Sequence, residues 1–170
     1  MRSNQQKPCF YGVHGGVASL SGPTLRDLLQ ALMARKAQFR FKARGFSMHP
    51  FIRDGDVITV SPKPARHSQA GDVVAFCHPE MSKLLVHRVI ARRHQGLLLQ
   101  GDNVLEPDGL ISFDNILGLL TKVTRNGHQV RLGLGPERRL IAWLNYRGWL
   151  NPVIKWSGAV LWPFLKGWKT

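Results

Sequence analysis

Gly45-Phe46-Ser47-Met48-His49-Pro50, running straight into Phe51-Ile52-Arg53-Asp54-Gly55-Asp56-Val57-Ile58-Thr59-Val60, is the stretch whose reading decides the fold. A small hydroxyl residue stands between bulky apolar neighbours. Pro50 fixes the backbone just beyond it, and a Gly-Asp turn then opens a Val-Ile-Thr-Val strand. That order pins the Ser47 hydroxyl at the edge of a sheet. Three later segments supply partners for it: Gly71-Asp72-Val73-Val74, Val86-His87-Arg88-Val89-Ile90, and Gly101-Asp102-Asn103 through Asp108.

A serine hydroxyl is a poor nucleophile until a neighbouring base takes its proton. His87 is the candidate base. On a strand over Leu84–Ala91 it shares a face with Leu85 and Val89, while Arg88 points the other way. Apolar surroundings favour the neutral imidazole that a general base must be. Taken alone, such a histidine reads as a core residue bonded to a backbone carbonyl; the surrounding motifs reverse that reading. A catalytic imidazole also needs a carboxylate to fix its tautomer. Asp102 and Asp108 are both candidates, and the sequence does not choose between them. Read singly, each is an ordinary turn aspartate.

Four segments in register resemble the superfamily of signal peptidase I and the LexA-like autoproteases. GFSMHP-FIRDGDVITV is similar to its serine box, AGDVVAF to its connecting strand, LLVHRVIAR to its base box and QGDNVLEPD to its final box. The resemblance spans residues 39–123. It implies Ser47 as nucleophile, His87 as general base, Asp102 or Asp108 as the orienting acid, and an extended peptide bound as an added strand. Histidine at the base position resembles the archaeal and endoplasmic-reticulum-type enzymes, where most bacterial members have lysine. Gly45 and Phe46 depart from the signal peptidase pattern, which places a small hydroxyl residue two before the nucleophile. The Ser47 N–H then has to supply most of the oxyanion stabilisation.

The strand pattern agrees with a mainly β body of coiled, barrel-like form. Gln38–Ala43 alternates, with Phe39 and Phe41 on one face and Arg40 and Lys42 on the other. Val57–Val60, Val73–Phe76, Leu84–Ala91, Leu97–Gln100, Ile116–Val123 and Gln129–Leu132 continue the series between Gly-Asp, Asn-Gly and proline turns. Upstream, residues 1–23 read as a flexible leader. Thr24 starts a helix with Leu25, Leu28, Leu29 and Leu32 at helical spacing, giving a β domain with a leading helix over 24–135. Residues 136–170 form a basic amphipathic helical tail that holds all five tryptophans among Arg147, Lys155, Lys166 and Lys169. Tryptophan mixed with Lys and Arg suits the interface of an anionic membrane. Packing over the sheet, and base stacking, remain open for it.

The chain has 170 residues, enough for one domain with a substantial core. Lys+Arg number 24 against 10 Asp+Glu, a formal charge of +14 that favours an anionic partner. Nucleic acid is the less favoured one, because residues 1–38 hold a single helix, too little for a helix-turn-helix. No Ala-Gly dipeptide precedes Ser47 as a self-cleavage site. Cys9 and Cys77 sit in dissimilar contexts without metal spacing, so neither a disulfide framework nor a zinc site is expected, and no cofactor is called for. The first residues show no apolar run of seven or more after Arg2, as a secretory signal would need, and nothing in the chain approaches the length of a spanning helix. A peripheral or monotopic membrane location is expected, with the cytoplasm as alternative. The residues do not fix the oligomeric state.

Overall fold

The computed structural model describes residues 38–62, 64–81, 83–150 and 152. The expected leader and leading helix lie outside the described residues, as do Trp156, Trp162 and Trp168. Eight strands form one antiparallel sheet: β1 (Phe39–Lys42), β2 (Val57–Ser61), β3 (Val73–Cys77), β4 (Leu84–Arg93), β5 (Gly96–Gln100), β6 (Gly109–Ser112), β7 (Ile116–Arg125) and β8 (His128–Val130). The order is β1-β2-β7-β3-β4-β5-β6, with β8 paired to β7. The mainly β, coiled fold expected from the strand pattern is what the chain adopts.

β3 explains why the sheet must coil. All five residues of Val73-Val74-Ala75-Phe76-Cys77 are buried, which a flat sheet with one wet face would not allow. Val74 and Phe76 pack with Val89, Leu97, Leu99, Ile111 and Ile116 on one side. Val73 joins Met48, Ile52, Ile58, Leu120 and Val123 on the other, and Ala75 packs with Phe39, Val60 and Leu117. Register shifts at Thr59/Val60, Ala75/Phe76 and Val89/Ala91 supply the local bends. Cys77 ends β3 buried.

β6 is absent from the sequence reading. Gly109-Leu110-Ile111-Ser112 is short and follows a polar loop, and only Ile111 of the four is buried. Pairing with β5 (Leu97↔Ile111, Leu98↔Leu110) makes it a strand despite a weak local signal. After the sheet, Glu137 accepts hydrogen bonds from the N–H groups of Gly133 and Gly135 at 2.6 and 3.1 Å. That carboxylate folds the chain into helix α1 (Arg138–Tyr146). α1 lies against β4, with Ile141, Ala142 and Asn145 buried.

Candidate active site

Ser47 sits in the loop between β1 and β2, and that loop is fastened at its base, its middle and its tip. At the base, Ala43 N–H donates to Asp56 O (2.7 Å) and Gly55 N–H to Ala43 O (2.9 Å). Gly45 (φ 89°) and Gly55 (φ 84°) adopt the left-handed conformation that lets the loop double back, and Gly45 N–H donates to Asp54 Oδ1 at 2.9 Å. Arg125 grips the Asp56 carboxylate through Nε and Nη2 (2.9 and 2.8 Å) and donates to Phe51 O at 3.1 Å. Burial pushes the Asp56 carboxyl up, but hydrogen bonds from Arg125 and the Arg53 N–H, with both arginine charges, hold it below its ordinary value. In the middle, Met48 and Ile52 flank the nucleophile and plug into the core. At the tip, Asn103 N–H donates to Ser47 O (2.7 Å) and Asn103 Nδ2 to Phe46 O (3.2 Å).

His87 reaches this loop from the middle of β4. Its Nε2 lies 3.0 Å from Ser47 Oγ, and its Nδ1 lies 2.6 Å from Asp108 Oδ2. Both side chains of the second pair are almost fully buried, at 5% and 10% exposure. With Asp108 accepting from Nδ1–H, Nε2 carries the lone pair and accepts the Ser47 proton. The Phe76 ring, 5.8 Å away and tilted, walls the imidazole on its strand side. Asp108 is held by its own N–H, which donates to Leu99 O at 2.9 Å.

Asp102, the other candidate for orienting His87, does not face it. Its two carboxylate oxygens take Nε and Nη2 of Arg88, each at 2.7 Å, and both side chains are fully buried. Burial pushes the Asp102 carboxyl up, and the hydrogen bonds and charge of Arg88 pull against it. Arg88 completes its set with Gly71 O and Gly133 O, both at 2.9 Å, beneath the Phe51 ring. The reason is strand parity: Arg88 is the registered partner of Gln100, and Asp102, two residues on, stays on the Arg88 face. His87 looks out from the opposite face.

Sequence reasoning missed Gly101. A Cβ there would stand 2.7 Å from Ser47 O, 2.9 Å from Val104 Cγ2 and 3.2 Å from His87 Nε2. The glycine next to the box aspartate was the available signal. His78 Nδ1 accepts the N–H groups of Glu80 and Met81 at 3.3 Å, and Lys83 is exposed at the approach to β4.

A cavity of about 340 Å³ opens beside Ser47. Phe41, Ala43, Met48, Ile52, Leu84, Leu85 and Val86 give it an apolar lining, with Arg44 and Lys83 also at its wall. β4 pairs with β3 along Leu84–Arg88, but its pairing with β5 begins only at Arg88. Among the described residues, the second edge of Leu84–His87 therefore has no strand partner, and it borders the cavity.

The sequence profile of the Peptidase S24-like family matches residues 18–120, more than half of the chain and all of the elements that carry Ser47, His87 and Asp108. The chain belongs to the Peptidase S24-like family. No curated protein and no solved structure matches it. Within this S24-like chain the described residues contain no group of three or more His, Cys, Asp or Glu able to hold a metal ion. No described helix is long and apolar enough to cross a membrane.

Proposed function

We propose that this S24-like protein is a serine endopeptidase of signal peptidase type that processes signal or leader peptides. The chain of contacts Asp108–His87–Ser47 carries the reading, at 2.6 and 3.0 Å. In the proposed reaction, His87 Nε2 takes the Ser47 proton as Oγ attacks the scissile carbonyl. Asp108 holds the ring in the required tautomer and stabilises the imidazolium. The imidazolium then protonates the departing amine, leaving an acyl-enzyme that water, activated by the same imidazole, hydrolyses. Among the described residues the Ser47 N–H has no acceptor, so it is available to the developing oxyanion. The histidine base supports kinship with the Ser-His signal peptidases rather than the Ser-Lys ones.

The unpaired edge of Leu84–His87 supports binding of the substrate as an extended strand, with alternate side chains entering the apolar cavity. Ser47→Ala and His87→Ala are each expected to abolish cleavage of a leader-type peptide while leaving thermal stability nearly unchanged. Modification of Ser47 by an active-site-directed acylating reagent tests the nucleophile directly. Cleavage that survives in His87→Ala removes the imidazole from the reaction. The family match itself favours a second reading, a LexA-like protein that cuts its own chain. Mixing active protein with Ser47→Ala protein and a leader-type peptide separates the two: a self-cleaving chain loses only its own segment, whereas a peptidase acting in trans cuts the added peptide.

A further inference from the structure

Helix α1 packs one face on the sheet and turns the other outward. Leu140, Trp143 and Tyr146 on that outer face are 58%, 46% and 52% exposed, and Trp149 just beyond the helix is 57% exposed. Trp143 and Trp149 meet edge to face with centroids 5.8 Å apart, and the Arg147 guanidinium stands 5.8 Å over the Trp143 ring. Single exposed apolar residues are ordinary; four large ones in a contiguous patch are not.

We propose that this face docks on the headgroup boundary of an anionic lipid bilayer. The chemistry of the patch selects that occupant. Tryptophan and tyrosine pair an apolar ring with a polar handle, which suits a boundary between water and hydrocarbon. The exposed Arg139 and Arg147 border the patch and complement anionic headgroups, and the formal charge of +14 adds long-range attraction. A second copy of the chain fits less well, because a twofold contact would set the same arginines against each other. A nucleic acid fits less well too: Arg147 covers a face of Trp143 and Trp149 abuts it, leaving little open ring for a base.

The inner side of α1 touches the loop that follows β5, next to the candidate active site. Asn145 Nδ2 donates to Gly101 O at 3.4 Å, and Gly101 abuts both Ser47 and His87.

The test is co-sedimentation of the full chain carrying Ser47→Ala with vesicles of phosphatidylcholine mixed with phosphatidylserine, and with phosphatidylcholine alone. Binding is expected to the mixed vesicles and to be much weaker to the neutral ones. Leu140→Ser/Trp143→Ser/Trp149→Ser should lower affinity about a hundredfold, and Trp143→Ala alone about fivefold, since each side chain is already half buried. Unchanged binding in both variants overturns the proposal. So does a wild-type chain that ignores mixed vesicles but self-associates, or that is retained by single-stranded DNA, through the same residues. Cleavage is assayed separately on the wild-type chain: vesicle binding without cleavage of leader-type peptides would sink the peptidase reading and leave the docking face standing.

Discussion

Replacing Gly101 by alanine inserts one methyl group between the nucleophile loop and the imidazole. The new carbon would lie 2.7 Å from Ser47 O, 2.9 Å from Val104 Cγ2 and 3.2 Å from His87 Nε2. Comfortable contact needs about 3.5 Å, so the Ser47 carbonyl has to retreat by about 0.8 Å. Val104 can turn aside, but the carbonyl is backbone and is also held by Asn103 N–H at 2.7 Å. Retreat therefore weakens that bond and lengthens the 3.0 Å contact between Ser47 Oγ and His87 Nε2. A misplacement near 1 Å costs about a hundredfold in rate, and overpacking costs roughly 1–3 kcal/mol of stability. Cleavage of a leader-type peptide should show kcat falling about a hundredfold in Gly101→Ala, with KM little changed because Gly101 does not line the apolar cavity. Urea denaturation gives the stability change in parallel. Adding Val104→Ala should recover neither the rate nor most of the stability, since the Ser47 carbonyl contact remains. Wild-type kcat in Gly101→Ala would refute the placement of Ser47 and His87 as reacting partners.

Asp108→Asn keeps the shape of the contact to His87 but removes the charge that fixes the tautomer, so kcat should fall roughly 10³–10⁴-fold in steady-state cleavage assays; Asp102→Asn should not reproduce that rate effect in protein that remains folded. Arg88→Met strands a fully buried carboxylate and should cost about 3–5 kcal/mol in urea, whereas Arg88→Met/Asp102→Leu should recover most of the loss. The Asp56 carboxyl is held below its ordinary value in the fold, so its contribution is fully present above about pH 4 and is lost as pH falls through the lower folded value. Asp56→Asn should weaken the protein at neutral pH and flatten this acid limb of urea midpoints measured down to about pH 2.

The candidate site was legible in the sequence to different depths. Ser47 and His87 were readable because each lies in a segment whose chemistry makes sense only with the other. The choice between Asp102 and Asp108 was not, because it depends on the pairing of Arg88 with Gln100, a long-range fact that sets which face each carboxylate serves. Arg88 itself gave no sign of full burial; a lone arginine on a strand ordinarily points to water. The strands rich in valine, leucine and phenylalanine appeared where alternation or apolar runs placed them. β6 did not, since its state comes from pairing with β5 rather than from its own four residues. The tryptophan pattern did not say which side chains point outward, and α1 resolves that for Trp143 because Ile141, Ala142 and Asn145 take the sheet side.

His87 and Arg88 are consecutive residues on β4, one facing Ser47 and the other locked beneath Phe51. Sliding β4 by a single position would carry the guanidinium into the cleft and strand the imidazole among the carbonyls of Gly71 and Gly133. The phase of this one strand thus separates a working molecule from a scrambled one. Added length should be harmless in the exposed hairpin tip around His94 and Gln95, and ruinous within β3 or between Leu84 and His87 on β4.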